Sequence, residues 1–169
     1  MRRLSIALVL ALLTAPVLGM AASPAAHAQT RAPNSSMSNV LPDEPDGWQM
    51  SEIRPAKGAL PMYSAATAEA SYKRGPVEVV VGAARSPTLF KAVSGSIKVP
   101  ATLPPNGTVE VVNGYRAIIT RFPEAKVPLY QIQIPVGADG IIMLTTRTGT
   151  VDHLLELAQE LNFSPFPLR

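Results

Sequence analysis

The sequence predicts an α+β domain: a single antiparallel sheet of about five to seven strands, with a short middle helix and a C-terminal helix packed on it. Three stretches carry that expectation. Asn113-Gly114 stands alone between two β-branched runs, Leu129–Val136 alternates apolar and polar residues, and Ile141–Leu144 leads after a Thr/Gly-rich break into an amphipathic segment from Val151 to Leu161.

The Asn-Gly pair is the strongest local signal. Both central residues of a type I′ turn take positive φ, which Asn and Gly tolerate, and the twist of that turn matches the strands it joins. Thr108–Val112 and Tyr115–Thr120 are therefore expected to pair with Val112 facing Tyr115, Val111 facing Arg116 and Glu110 facing Ala117. In Leu129–Val136 the alternation puts Tyr130, Ile132, Ile134 and Val136 on a buried face and Gln131 with Gln133 on a wet one. Pro128 and Pro135 donate no ladder hydrogen bond, which points to an edge strand or to a strand with unpaired ends. Gly137-Ala138-Asp139-Gly140 closes a further hairpin onto Ile141–Thr146, whose start is apolar on both faces. The C-terminal helix should bury Val151, Leu154, Leu155, Ala158 and Leu161, with Thr150 as its N-cap, Asp152 at the positive end of its dipole and Asn162 at its end.

Earlier in the chain, Trp48–Ile53 reads as a short first strand. Met62–Tyr72 and the β-branched Val77–Gly82 read as a hairpin around Lys73-Arg74-Gly75-Pro76. Ser86 before Pro87 is an N-cap followed by proline at the first helical position, with Leu89, Phe90 and Val93 on one side of a helix of two or three turns. Prolines and glycines from Gly95 to Gly107 mark a connection.

The ends differ in kind from the middle. Residues 1–28 combine a basic start, an apolar run from Leu4 to Leu18 and the small-x-small site Ala26-His27-Ala28, a pattern that predicts a secretory signal peptide, with an uncleaved membrane anchor as the alternative. Residues 29–40 are polar and proline-punctuated, as a flexible leader would be. The single folded domain is expected over residues 41–163, followed by a tail over 164–169, with Phe163 at the junction and Phe166 in the tail folding back onto the core. Two of the 15 basic side chains, Arg2 and Arg3, lie in the signal segment, so 13 basic and 12 acidic residues remain and the net charge falls from +3 to +1. That balance gives no electrostatic basis for binding nucleic acid. Export to the bacterial periplasm or beyond is the expected destination, with no membrane span left after cleavage.

Chemistry-bearing residues are sparse. The chain has no cysteine and two histidines, of which His27 falls in the signal segment, so thiol chemistry and the common zinc sites are excluded and no metal or cofactor is expected. His153 lies beside Asp152, Thr148 and Thr150, but neighbours in sequence on a helix do not face one another. No catalytic residue is assigned. Asp43, Glu44 and Asp46 crowd a proline-rich turn, and Lys73 with Arg74 sits at a hairpin tip. The candidate binding set is Tyr115, Arg116, Arg121, Tyr130 and Arg147, aromatic and basic residues able to converge on a sheet face toward an anion or peptide.

Gly47-Trp48, then Val112-Asn113-Gly114-Tyr115-Arg116-Ala117, then a closing Leu154-Leu155-Glu156-Leu157-Ala158 helix ending in Leu161-Asn162-Phe163 resembles exported bacterial α+β domains of the PsbP-like kind over roughly residues 45–163. The resemblance implies a final helix resting on an antiparallel sheet and a non-catalytic accessory role. It carries over no functional residue. The expected function is an exported, non-enzymatic accessory or binding protein acting on an envelope or periplasmic protein. The alternative is a carrier of a small apolar ligand, with Phe90, Tyr130, Met143 and Phe166 in its walls.

Overall fold

The structure, a computed structural model, describes residues 36–55 and 66–166. The expected signal peptide, the leader as far as residue 35, most of the loop around Gly58 and the last three residues lie outside the described residues. The elements in chain order are β1 (Gln49–Met50), β2 (Ala66–Arg74), β3 (Val77–Arg85), α1 (Pro87–Lys98), β4 (Gly107–Val112), β5 (Tyr115–Phe122), β6 (Leu129–Val136), β7 (Gly140–Thr146) and α2 (Val151–Gln159). The strands form one antiparallel sheet in the order β1-β2-β3-β7-β6-β5-β4. This is the expected α+β class, with the mid-chain and C-terminal helices on opposite faces.

Pleating separates the two faces. Val81, Ile119, Ile132, Ile134, Ile142 and Leu144 pack under α2 in the larger core. Ala84, Ile118 and Ile141, on the alternate phase of the same strands, pack with Val93 and Ile97 of α1 in the smaller one. The polar side of β6 is consequently not the wet face expected: Gln131 and Gln133 are half-buried on the α1 side. Gln133 Nε2 donates to Gln131 Oε1 at 2.8 Å, and Gln131 Nε2 donates to Thr145 Oγ1 at 3.4 Å.

The Asn113-Gly114 hairpin forms in the expected register, Val112 opposite Tyr115 and Glu110 opposite Ala117, with φ of 49° and 80° at the two turn residues. β6, in contrast, is no edge strand, because β7 returns to lie between β3 and β6. Its ladder with β5 ends at the Ile118–Gln133 pair while its ladder with β7 continues through Pro135 to Val136. Pro135 thus sits in the second of the two places its missing donor allows, an end unpaired on one side.

α1 is N-capped by Ser86, whose side chain accepts from the Leu89 N–H, and it runs through Gly95 to Lys98. The connection expected from Gly95 therefore starts a turn later. Ile97, 6% exposed one turn beyond Val93, extends the buried stripe across Gly95, and its burial outweighs the roughly 1 kcal/mol that an interior glycine costs. In α2 the buried positions are Leu154, Leu157 and Ala158, continued by Leu161 just past its end. Val151 and Leu155, expected inside, are only partly buried, so the stripe is turned toward Leu157 from the expected one.

The folded part also begins ahead of Leu41. Met37 and Val40 are fully buried, Ser38–Val40 form a short 3-10 turn, and the Asn162 N–H donates to the Val40 carbonyl at 3.0 Å. At the other terminus Phe166 is 2% exposed, and Phe163 stacks on Tyr115 at 4.5 Å between centroids, as the fold-back expectation required.

Candidate interaction edge

The expected binding residues divide over the molecule. Along β5, Tyr115 and Arg121 project on the α2 side with Ala117 and Ile119, and Tyr130 stands opposite Arg121 on the neighbouring strand. Tyr115 and Arg121 are six positions apart, about 20 Å along a strand. Arg116 points to the other face, where its guanidinium donates to the Ile97 carbonyl at 3.4 Å. Arg147 is exposed just past the end of β7. Only Arg121 and Tyr130 are brought together. The carrier walls are divided in the same way, with Phe90 and Met143 on the α1 side and Tyr130 and Phe166 on the α2 side.

Several chemistry-bearing groups turn out to hold the fold. His153 Nδ1 accepts from the Thr150 N–H at 3.1 Å, closing the first turn of α2, and the imidazole meets the Trp48 ring edge-on. Arg74 is not a free hairpin-tip cation. Its guanidinium lies 4.4 Å over the Trp48 ring and forks onto Glu156 at 2.6 and 2.7 Å. That fork, helped by the Trp48 indole N–H and opposed by partial burial, holds the Glu156 carboxyl below its ordinary range. Among the described residues no group of acidic or histidine side chains is placed to hold a metal ion, and no helix is long and apolar enough to cross a membrane.

The two edges of the sheet are built differently. Along β2 the segment 49–54 supplies a covering partner. β1 pairs with Tyr72 and Lys73, Ser51 N–H donates to the Ser71 carbonyl, and Arg54 and Glu69 exchange two backbone hydrogen bonds. Arg54 then reinforces the bridge with its guanidinium on Glu69 Oε1.

β4 has no such partner; among the described residues it pairs with β5 alone. In a two-residue hairpin the residues flanking the turn exchange hydrogen bonds, so Val112, Glu110 and Thr108 direct their backbone toward β5. Val111 and Val109 direct theirs outward. Two further hydrogen bonds fix this alternation: the Arg121 N–H donates to the Asn106 carbonyl, in phase with Thr108, and the Gly107 N–H turns away from β5 to Pro104 O at 2.9 Å. The open window therefore spans Val109 to Val111, between the Pro104–Gly107 turn and the Asn113-Gly114 turn.

The side chains bordering this window are of two kinds. On the α1 side Val109 packs against the smaller core, and Val111 is 72% exposed. On the α2 side Glu110 Oε1 accepts from Arg121 at 2.8 Å and from Thr108 Oγ1 at 2.8 Å. These bonds, Arg121 first, hold the Glu110 carboxyl below its ordinary range against the opposing effect of burial. Natural edges are commonly guarded by lysine, proline or a bulge, and β4 contains neither lysine nor proline. A groove of about 660 Å³ lined by Gly107, Thr108, Arg121, Phe122 and Pro123 opens at its start.

Sequence reasoning passed over Val109, Glu110 and Val111 because an edge is defined by strand order, which pairs segments far apart in the chain. The available signal was the long proline-rich connection ahead of Gly107, which leaves β4 without a sequential neighbour on its outer side. Compared with known proteins, the chain matches no family model, no curated protein and no solved structure.

Proposed function

We propose that this chain is an exported, non-enzymatic accessory or binding protein of the bacterial envelope that acts through contact with another protein. The observation that carries the reading is the β4 edge, where Val111 is 72% exposed and the outward backbone of Val109 and Val111 has no strand beside it among the described residues. Unpaired edge groups form a template for association. The signal pattern of residues 1–28 supports export, and the PsbP-like resemblance agrees with an accessory role. Of the groups best suited to chemistry by type, Glu156 and Arg74 join α2 to the β1–β2 end of the sheet, and His153 caps α2 and meets the Trp48 ring.

The test is site-specific photocrosslinking in intact cells, with the photoreactive side chain at Val111 and, as a control, at the exposed Lys91 of α1. The expected result is a discrete adduct with one envelope protein from position 111 and none from position 91. Absence of any adduct from position 111 overturns the reading.

A further inference from the structure

The β4 window has dimensions, polarity and charge that restrict what fits it. It offers two residues, Val109 and Val111, each with an outward N–H and C=O, about 7 Å apart along the strand. Between them Glu110 faces the α2 side. Arg121 stands one strand further in, so the outer end of the Glu110–Arg121 pair is the carboxylate, with Oε1 occupied by Arg121 and Thr108. Arg116, the other nearby cation, lies on the opposite face with its guanidinium on the Ile97 carbonyl.

A second copy of the chain fits this window poorly. Antiparallel self-pairing that uses both free residues of each copy sets two Glu110 side chains directly opposite one another, an arrangement that destabilises a sheet. Sliding the pairing toward Gly107 meets an N–H already bonded to Pro104 O. Sliding it the other way meets Asn113, which is held in the turn at φ 49° and donates to the Ala158 carbonyl at 2.7 Å.

We infer that the β4 edge receives an extended segment of a partner protein as an added strand, and that this segment carries a basic side chain opposite Glu110 between two apolar side chains. The apolar pair sits beside Val109 and Val111 on the α1 side, covering the exposed valine. The basic group reaches the Glu110 carboxylate on the other side. Main-chain hydrogen bonds supply the attraction and the alternation of side chains supplies the choice of sequence. The inference rests on the accessory reading above and specifies its contact.

The experiment uses the purified ¹⁵N-labelled protein and two synthetic peptides, acetyl-Thr-Val-Lys-Val-Thr-amide and the same peptide with Glu in place of Lys. Saturable shifts and new protection from exchange are expected at the amides of Val109 and Val111, with the Glu peptide bound about tenfold more weakly. The variant Val111→Pro removes one outward N–H and none of the β5 ladder, so it should keep a dispersed spectrum and lose the response. Equal binding of the two peptides, or shifts that bypass Val109 and Val111, overturns the inference. Slow exchange of those two amides before peptide is added also overturns it, since the edge is then already covered by the chain itself or by a second copy. A crosslink from position 111 in cells together with failure of both peptides strikes the strand-addition chemistry and leaves the accessory reading standing. No crosslink strikes the accessory reading itself.

Discussion

The indole N–H of Trp48 donates to Glu156 Oε1 at 3.1 Å, across 108 residues of chain, and so ties the entry to β1 to the exposed side of α2. Arg74 completes the latch by stacking on the same indole and forking onto the same carboxylate. Trp48 is 2% exposed, so Trp48→Ala should cost about 3–5 kcal/mol, measured as a shift in the urea midpoint followed by circular dichroism. Trp48→Phe, which keeps most of the ring and drops the N–H, should cost clearly less.

The same latch sets a pH dependence. Because the Arg74 fork holds the folded Glu156 carboxyl below its ordinary value of about 4.5, the folded state binds a proton less readily than the unfolded state there. Its stabilisation is therefore complete above about pH 4.5 and fades as the pH falls through the depressed folded value. Glu156→Gln should be less stable than the parent near neutrality and should show a shallower loss of stability on acidification. Parallel urea-midpoint profiles for the two proteins between about pH 3 and 7 would show that the carboxylate does not contribute in this way.

His153 is placed as a cap. Its Nδ1 accepts the Thr150 N–H, one of the donors a helix start leaves without an intrahelical partner. His153→Ala should lower stability by about 1 kcal/mol and leave the peptide response at Val109 and Val111 unchanged. A lost response with normal stability would move His153 from a cap to a recognition residue.

How much of this was legible in the sequence follows from how far apart the interacting residues are. The Val112–Tyr115 register was legible because two turn residues encode it. The positions of β6 and β4 were not, because they depend on β7 entering between β3 and β6, a choice made by the packing of the whole sheet. Leu157 was misplaced for a related reason: a stripe read from Val151 is turned when the contacts that orient α2, Trp48 and Arg74 on Glu156, come from distant segments. Of the candidate site, Arg121 was legible by residue type. Glu110 and Val111, ordinary strand residues, acquire interest only once their strand is known to lie at the edge.

Met37 and Val40 were hidden by their surroundings, two apolar residues in a polar, proline-punctuated stretch. Both are fully buried. Met37→Ala is therefore expected to cost about 2–5 kcal/mol, and removal of residues 29–40 more than that. A midpoint unaffected by loss of Met37 and Val40 would return the domain boundary to Leu41.

Gly140 and Phe166 provide a test of the tail as part of the core. A Cβ at Gly140 would run into the Phe166 ring and come within 2.8 Å of Val136 Cγ2, so the start of β7 is kept bare for the aromatic ring that the chain delivers after α2. Arg85 strengthens the docking: its guanidinium lies 5.4 Å from the Phe166 ring centroid, pairs with Asp139 at 2.8 Å and donates to the Pro165 carbonyl at 3.1 Å. Gly140→Ala should cost about 1–3 kcal/mol by overpacking, and Phe166→Ala about 3–5 kcal/mol by leaving a cavity. In the double variant the new methyl group no longer meets a ring, and the combined loss should fall short of the sum by about 0.5–3 kcal/mol. Strict additivity in the urea midpoints would mean that the tail does not occupy this site in solution, whereas the expected shortfall identifies the Gly140–Phe166 contact as the one that fastens it.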